Sequence, residues 1–300
     1  MLFFDTEMTN RTPNGKLIPI GGSEARSPGE EAETAQREPA DFFRNGVLAE
    51  VLKEIRGADS RLVIIPAASG IPDEMAQLYT DAFATLGCRP VDVIQLADRS
   101  QTDRADHLRL VEQADGVFFT GGDQAVLVEK LAGSALLERL TDRYQRDHLV
   151  IAGTSAGAAA MARCMIKEGD SGESLLKGMV ETQPGLSLLS PLIIDTHFAQ
   201  RGRLPRLTEA LLQQPGLIGL GLSEDTGVVV TNGNCLRTIG SGSAFVLETH
   251  QVNQTNYPTR EAHEPVSVGS LKLHILARGA RYRTDGRQFI APHVTAASSL

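Results

Sequence analysis

The stretch HLVIAGTSAG, residues 148–157, decides the fold of this sequence. Its first half is a short apolar run, which predicts a β-strand that is covered on both faces. Glycines then stand on either side of Ser155, and alanines are frequent in residues 156–165, which predicts a tight turn followed by a closely packed helix. A strand that turns directly into a helix is the basic unit of an α/β fold.

The same unit repeats on both sides of this stretch. Apolar runs predict strands at residues 17–20, 61–67, 91–96, 116–120 and 148–152. Apolar residues at helical spacing predict helices at residues 41–56, 73–86, 103–114, 124–131 and 135–146. This alternation predicts an α/β protein with a mostly parallel, doubly wound sheet and helices on both faces.

Beyond residue 190 the pattern changes, because predicted strands follow one another with little helix between the later ones. They lie at residues 192–195, 218–222, 227–231, 244–247 and 271–275. We expect these strands to form an antiparallel C-terminal extension of the same domain. Residues 1–300 are expected to form a single domain, because no linker or internal repeat divides them. Three segments are expected to be loop or flexible tail: residues 1–16, 23–40 and 290–300.

The composition favours a globular protein without a nucleic-acid or membrane partner. Hydrophobic residues make up 41% and charged residues 22% of the chain, and a net charge of −8 without any Trp argues against a surface for phosphate backbones or bases. No signal segment begins the sequence and no apolar run reaches the roughly 18 residues that span a bilayer, so a cytoplasmic location is expected. The three cysteines are far apart and no Cys/His cluster appears, so neither a zinc site nor a disulfide framework is expected. No cofactor and no metal are expected.

Ser155 is the candidate nucleophile, because it stands in a G-x-S-x-G pattern between a predicted strand and a predicted helix. Such a turn lifts a hydroxyl out of the sheet edge, and the helix N-terminus beside it offers free amide donors. The amide of Ala156 would then stabilise an oxyanion. The alternative is a glycine-rich turn that serves packing alone.

A second glycine turn, Gly121-Gly122-Asp123-Gln124, follows the strand predicted at residues 116–120. Ligands bind at the carboxyl ends of the strands in such sheets, so both turns are expected at one crevice. The amide of Gly122 or of Asp123 is a candidate for the second oxyanion donor, and Gln124 is a candidate substrate contact. Alternatively, Asp123 only caps the next helix.

His197 is the candidate base, because it closes the apolar strand predicted at residues 192–195. Glu224 is the candidate acid, since it lies between two predicted strands, and Asp225 and Asp195 are its rivals. The order Ser, His, acid differs from the order Ser, acid, His of the α/β-hydrolases. That difference argues against an ordinary esterase.

Three arginines follow the candidate base: Arg201, Arg203 and Arg206. They could bind substrate carboxylates with paired hydrogen bonds, or they could form a solvated basic patch. Pro205 suits the start of a helix, so Arg206 is predicted in a first helical turn, where a cation opposes the helix dipole. This local conflict points to a functional role.

Together these segments resemble the cyanophycinases, serine peptidases of a family that also contains aspartyl dipeptidases. The resemblance is collinear from about residue 17 to residue 275. It rests on GGDQ at residues 121–124, GTSAG at 153–157, DTHF at 195–198 with RGRLPR at 201–206, and GLGLSEDT at 219–226. The four motifs in this order are far more specific than any one of them alone.

The resemblance implies a class I glutamine amidotransferase-like (flavodoxin-like) fold, with serine in place of cysteine, and a homodimer. It implies a serine-type exopeptidase that hydrolyses cyanophycin, a poly-aspartate backbone with arginine on each β-carboxyl, to β-Asp-Arg dipeptides. In that activity Ser155 is the nucleophile, His197 the base and Glu224 the acid. The pocket would be lined by Gln124, Asp195, Arg201, Arg203 and Arg206, and Asp195 or another acidic residue would meet the substrate guanidinium.

Two positions near the acid depart from the family pattern. Ser223 stands where Asp is expected before Glu224, and Gly227 stands where Ala is expected. Two other functions stay open: an aspartyl dipeptidase that acts on short Asp-X peptides, and a non-catalytic binder of Arg/Asp polymers. The arginine motif favours the polymer as substrate, and the complete Ser–His–Glu set favours an enzyme.

Overall fold

The computed structural model describes residues 12–24, 26, 46–57, 59–169 and 174–292. The helices in these ranges are α1 Val47–Ile55, α2 Pro72–Thr85, α3 Ala105–Gln113, α4 Gln124–Leu131, α5 Ala135–Arg146, α6 Ala156–Ala159 and α7 Leu204–Gln213, with 3₁₀ turns at Arg99–Asp103 and Tyr257–Thr259. The strands of the first part are β1 Lys16–Ile20, β2 Leu62–Ile65, β3 Val91–Val93, β4 Gly116–Phe119, β5 Val150–Thr154, β6 Cys164–Gly169, β7 Val180–Pro184 and β8 Leu192–Asp195. Those of the second part are β9 Ile218–Leu222, β10 Thr226–Thr231, β11 Cys235–Gly240, β12 Ala244–Glu248, β13 Gln254–Thr255, β14 Val268–Gly269, β15 Lys272–Leu276, β16 Arg281–Arg283 and β17 Gln288–Ile290.

Several predicted segments fall outside the described residues. They are most of the N-terminal segment and of the loop predicted at residues 23–40, the start of the helix predicted at 41–56, and most of the tail. Among the helices that the structure does describe, none combines the length and the apolar character needed to cross a membrane.

A nine-stranded mixed sheet runs through the molecule, in the order β17-β16-β11-β10-β1-β5-β4-β2-β3. The strands β1 to β5 are parallel, as the sequence predicts, and the remaining four continue the sheet antiparallel. Side chains of one strand face opposite layers: Ile18 and Ile64 pack with α1 and α2, whereas Leu17 and Val63 pack with α3, α4 and α5. Helices on both faces bury the parallel strands, which explains their continuous apolar runs.

Four of the later strands form a separate sheet, in the order β15-β12-β9-β8. Within it β9, β12 and β15 pair antiparallel, as predicted, but β8 and β9 are parallel. The helix α7 connects β8 to β9, and a crossover through a helix is the usual connection between parallel neighbours. The five later strands that the sequence predicts are divided between the nine-stranded and the four-stranded sheet, which also differs from the prediction of one extension.

The helix predicted at residues 156–165 is much shorter than expected, because it ends at Ala159 and β6 begins at Cys164. The carbonyls that would continue the helix accept hydrogen bonds from a neighbouring segment instead. Ala160 and Ala162 accept from the amides of Leu186 and Ser187 at 2.8 and 3.3 Å. These tertiary contacts outweigh the helical propensity of the alanines.

Candidate active site

Three strand ends bring Ser155, His197 and Glu224 together. Ser155 directly follows β5, and His197 and Glu224 lie two residues beyond β8 and β9. The Ser155 Oγ is 3.1 Å from the His197 Nε2, and the His197 Nδ1 is 2.6 Å from the Glu224 Oε1. Because a carboxylate only accepts, Nδ1 carries the ring proton and Nε2 is left to accept the serine proton. This is the hydrogen-bond chain that a serine nucleophile requires.

The backbone of Ser155 itself is strained, with φ 50° and ψ −111°. Residues with a side chain rarely adopt this conformation, and here the Ser155 N–H is held by the Ile20 carbonyl at 3.0 Å. The glycines on either side of Ser155 are needed for a different reason, because neighbouring backbone atoms lie too close to leave room for a side chain. A Cβ on Gly153 would lie 2.7 Å from the Gly157 backbone, and one on Gly157 would lie 2.6 Å from the carbonyl oxygen of Phe119. The turn therefore concentrates its strain on the serine, as in a nucleophile elbow.

Two candidate oxyanion donors, Ala156 and Gly122, line the same pocket as Ser155. Ala156 begins α6, so its N–H has no partner within that helix. The Asp123 N–H, by contrast, donates to the Ala68 carbonyl at 2.8 Å, and the Asp123 side chain caps the first turn of α4. Of the two amides that the sequence leaves open, that of Asp123 is engaged elsewhere, which favours the amide of Gly122.

Asp195 is a buried carboxylate, 2% exposed, that holds two of the three arginines. Arg206 donates to both of its oxygens, from Nε at 3.0 Å and from Nη2 at 2.5 Å, and Arg203 donates from Nη1 at 3.1 Å. Arg206 lies in the first turn of α7, as predicted, and the carboxylate offsets the cation at that helix N-terminus. Because both oxygens of Asp195 are already used, the geometry favours positioning of the arginines over direct contact with a substrate guanidinium.

The pocket carries more positive than negative charge. Burial lowers the pKa of Arg203 to about 10, although the charge of Asp195 opposes this shift, so the guanidinium stays cationic at neutral pH. Arg201 and Arg206 line the same pocket. A concave site with this balance favours anionic groups of a ligand.

Gln124 presents a fixed acceptor at the pocket. Its Nε2 donates to the carbonyls of Ile166 and Lys167, both at 2.9 Å. Both protons of the amide nitrogen are thus used by the protein, which leaves the Oε1 of Gln124 to accept from a ligand.

The His197 ring is neutral at neutral pH. Burial lowers its pKa below the ordinary value of 6.5, and the charge of Arg201 acts in the same direction, against the raising effect of the Glu224 hydrogen bond. A neutral imidazole is the form that can take the serine proton.

Glu224 is the candidate acid that is hydrogen-bonded to His197, whereas its two rivals have other surroundings. Asp195 is paired with the arginines. Asp225 is completely buried, and desolvation raises its pKa to about 6. The Glu224 backbone is itself held by Gln200, whose Oε1 accepts from the Glu224 N–H at 3.1 Å.

Two further residues lie beside the triad, Gly22 and Glu24, and the sequence motifs do not single them out. A Cβ on Gly22 would lie 2.4 Å from the Cε1 of His197. Glu24 belongs to the segment predicted as an exposed loop, but it is 2% exposed and hydrogen-bonded to Tyr79 and Thr154, so that prediction is wrong at this residue. The available signal is Gly21-Gly22 directly after β1, because this is a third glycine turn at a strand's carboxyl end.

The predicted site residues gather around one pocket, and Glu224 lies behind His197. Among the residues that line it are Gly122, Gln124, Ser155, Ala156, Asp195, His197, Arg201, Arg203 and Arg206. Within the described ranges, no group of three or more His, Cys, Asp or Glu side chains is placed to hold a metal ion. A Ser–His–Glu chain on a strained strand-to-helix turn, beside candidate oxyanion amides, defines a serine hydrolase.

Comparison with known proteins narrows this class. The chain belongs to peptidase family S51, which it matches over residues 40–238, and it is a serine peptidase. It is 33% identical over 274 residues to the cyanophycinase of Synechococcus elongatus, a match that covers 91% of this chain and 80% of that protein. It is 35% identical over 235 residues to the cyanophycinase of Geminocystis herdmanii, covering 78% and 86% of the two chains.

The fold is similar to that of a solved peptidase. The crystal structure of a peptidase from an acI-B1 Actinobacterium superposes with a TM-score of 0.59 at 19% identity, and the match covers 86% of this chain and 98% of that one. At this identity the likeness concerns the α/β fold alone.

Proposed function

We propose that this peptidase is a serine-type exopeptidase that hydrolyses cyanophycin to β-Asp-Arg dipeptides. The observation that carries the proposal is the hydrogen-bonded chain Ser155–His197–Glu224 at a pocket with three arginines. The aspartate β-carboxyls of this polymer are amidated, so its free carboxylates are those of the attached arginine residues and of the terminal aspartate. Carboxylates of this kind suit a pocket with three arginines. The resemblance in four motifs and the identity to cyanophycinases over most of the chain support the same substrate.

The geometry supports an acyl-enzyme mechanism. The Ser155 Oγ attacks an aspartyl carbonyl carbon while its proton passes to the His197 Nε2, and Glu224 stabilises the imidazolium that forms. The amides of Ala156 and Gly122 stabilise the negative oxygen of the tetrahedral intermediate. His197 then gives its proton to the departing amine as the C–N bond breaks. A water molecule, deprotonated by His197, hydrolyses the acyl-enzyme in the same way.

Substrate recognition would divide between charge and hydrogen bonding. The guanidinium groups of Arg201, Arg203 and Arg206 would bind free carboxylates of the substrate, which belong to its arginine residues and its terminal aspartate. Asp195 would keep Arg203 and Arg206 in place. The Oε1 of Gln124 would accept a hydrogen bond from a substrate N–H.

Two other functions would make different demands on this site. An aspartyl dipeptidase of the same family would use the same triad on short Asp-X peptides. The three arginines of the pocket favour the polymer, which carries a free arginine carboxylate on every unit. A non-catalytic binder of Arg/Asp polymers would not need the strained Ser155 or its alignment with His197.

Three further expectations belong to the same proposal. They are a fold of the class I glutamine amidotransferase type, a homodimer and a cytoplasmic location, all implied by the resemblance or expected from the composition. Sedimentation analysis of the purified protein tests the homodimer, and fractionation of cells that express it tests the location.

The decisive experiment compares the wild type with Ser155→Ala on purified cyanophycin, with products identified by mass. We expect the wild type to release β-Asp-Arg, and the alanine variant to lose at least about 10³-fold in rate because the acyl-enzyme cannot form. Asp-X dipeptides serve as the competing substrate. A higher kcat/KM on the dipeptides than on cyanophycin would favour an aspartyl dipeptidase. A Ser155→Ala variant that keeps its activity would show that Ser155 is not the nucleophile.

A further inference from the structure

The three carbonyls at the end of β1 hold the backbone of the candidate triad. Each accepts a hydrogen bond from a different triad segment. The Ile20 carbonyl accepts from the Ser155 N–H at 3.0 Å, the Gly21 carbonyl from the His197 N–H at 2.8 Å, and the Gly22 carbonyl from the N–H of Asp225, the neighbour of Glu224, at 2.9 Å. The triad members follow strands of two different sheets, so these three consecutive acceptors set the positions of the members relative to one another.

The segment that carries these carbonyls is itself irregular. The strand β1 ends at Ile20, and Gly22 and Ser23 both have positive φ values, 101° and 47°. Beyond the strand the Gly21 N–H still donates to the Thr226 carbonyl at 2.8 Å, so the sheet holds the near end of the turn. The conformation of the rest depends on what fixes its far end. The residue at that end is Glu24.

The side chain of Glu24 ties this end to the two elements that surround the nucleophile. One carboxylate oxygen accepts from the Thr154 Oγ1 at 2.7 Å, and Thr154 immediately precedes Ser155. The other oxygen accepts from the hydroxyl of Tyr79, a buried residue of α2. Burial and the charge of Glu24 raise the pKa of Tyr79 well above its usual value, so the phenol keeps the proton that it donates.

A carboxylate suits this position better than an amide. Two hydroxyl donors approach two different oxygens, and a carboxylate accepts from both without presenting a proton of its own. A carboxylate that is 2% exposed is costly to bury unless it is hydrogen-bonded, and a structure retains such a group where it fixes geometry.

We infer that Glu24 is a positioning residue of this peptidase, which holds residues 20–24 and Thr154 so that Ser155 meets His197. Glu24 is not among the described residues that line the pocket, and its side chain is hydrogen-bonded to Thr154 and Tyr79. It acts through the backbone of the nucleophile and of the base. The inference rests on the proposed roles of Ser155 and His197, and it adds a residue that stabilises their alignment.

The test follows the reaction of Ser155 with a fluorophosphonate, which needs the nucleophile and its base but no polymer. The rate constant of labelling is measured per folded protein for the wild type, Glu24→Gln and Thr154→Val. Glu209→Gln is the matched control, because it removes the charge of another buried glutamate, on α7, which accepts hydrogen bonds from the amides of Gly178 and Met179. We expect at least about a 10-fold slower labelling in Glu24→Gln, a smaller loss in Thr154→Val, and the wild-type rate in the control.

A second readout separates positioning from substrate binding. On the substrate that the wild type cleaves, Glu24→Gln should lower kcat by a similar factor and leave KM within about twofold, because Glu24 contacts no substrate. Labelling of Glu24→Gln at the wild-type rate would overturn the inference. If Glu24→Gln does not fold, the test uses Tyr79→Phe and Thr154→Val, which keep the charge of Glu24 and remove one of its hydrogen bonds each. Labelling at the wild-type rate in both variants would also overturn the inference.

The same experiment keeps this inference apart from the substrate proposal. If the wild type is labelled at Ser155 but leaves cyanophycin intact, cyanophycin is not the substrate and the triad assignment still holds. The comparison with Glu24→Gln would then still test the role of Glu24. A wild type that is not labelled would overturn both the triad and the role of Glu24.

Discussion

At position 22 the absence of a side chain decides where the base can lie. Gly22 has φ 101°, and a Cβ there would lie 2.4 Å from the Cε1 and 2.5 Å from the Nε2 of His197. The imidazole would have to move away from Ser155, with which it is now aligned at 3.1 Å. We expect Gly22→Ala to lower kcat by about 100-fold, measured by steady-state kinetics, because small misplacements of a catalytic group are that costly.

The matched control for this substitution is Gly57→Ala. Gly57 also has a positive φ, 80°, but among the described residues no atom lies within 4 Å of the Cβ that alanine would add. Gly57→Ala should therefore cost only the backbone strain, about 1 kcal/mol of unfolding free energy, and leave kcat unchanged. Equal kcat values for the two variants would show that the contact with His197 does not position the base.

The pH dependence of the reaction reports the state of His197. The base works when neutral, and burial lowers its pKa, so activity should fall on acidification with a midpoint below pH 6.5. The Glu224 hydrogen bond raises that pKa, so Glu224→Gln should move the midpoint lower still and reduce the plateau by about 10²–10⁴-fold. The measurement is kcat/KM from pH 4.5 to 8. A midpoint that moves to higher pH in Glu224→Gln would contradict the assigned hydrogen bond.

Residues of the site differ in how far the sequence predicts them. Ser155, His197 and Glu224 could be singled out because each stands just beyond an apolar strand, where α/β proteins place their ligands. Glu24 could not, because its partner Thr154 is 130 positions away and the polar residues around Glu24 are typical of a loop. Proximity of that kind exists only once β1 and β5 have paired.

At the scale of elements, the carboxylate of Asp195 at the end of β8 connects this strand to the start of α7. Asp195 ends β8 and accepts from Arg203, at the N-cap of α7, and from Arg206 in its first turn. Asp195→Asn would leave two largely buried cations, with side chains that are 11% exposed, without their counter-charge. We expect it to lower the free energy of unfolding by about 3 kcal/mol in urea denaturation, and to raise KM for an anionic substrate because the arginines lose their anchor.

The control for this pair lies on the surface. Asp285 also accepts two hydrogen bonds from one arginine, Arg283, but both side chains are 46% exposed. Asp285→Asn should leave the urea midpoint close to that of the wild type, because water screens an exposed pair. A loss in Asp195→Asn no larger than in this control would show that the buried pair is not what fixes α7 to β8.

Elements with local end signals were predictable, and those whose ends depend on distant contacts were not. The predicted bounds of α4 and α5 agree with the structure, because Asp123 and Ser134 cap them with their own side chains. The end of α6 could not be foreseen. Its continuation is prevented by hydrogen bonds from Leu186 and Ser187, which nothing in the local sequence indicates.

At the scale of the whole molecule, the way the two sheets are formed and joined also could not be predicted from the sequence. Five of the later strands were predictable from their apolar residues, namely β8, β9, β10, β12 and β15. Their assignment to one sheet or the other depends on pairing over long separations. Glu248 on β12 is one link between the sheets. It is completely buried and accepts from Lys272 and His274 on β15 and from Arg287, which lies between β16 and β17.

The charge of Glu248 should make this link sensitive to acid. Burial of the carboxylate favours its neutral form, but its polar partners, Arg287 and Lys272 among them, outweigh burial and lower its pKa below the usual 4.5. A lowered pKa means that the stabilisation is complete above about pH 4.5 and is lost as the pH falls through the folded-state value. Glu248→Gln should therefore cost about 2 kcal/mol of unfolding free energy at pH 7, and the difference from the wild type should shrink below pH 4.5.

Urea denaturation from pH 3.5 to 7 measures that difference, with Glu264→Gln as the control. Glu264 forms a half-exposed ion pair with Arg260, so its substitution should change stability little at any pH. A Glu248→Gln difference that stays constant down to pH 3.5 would mean that the packing of this side chain, rather than its charge, links the sheets. The sheets must stay joined for the triad to form, because Ser155 follows a strand of one sheet and His197 follows a strand of the other.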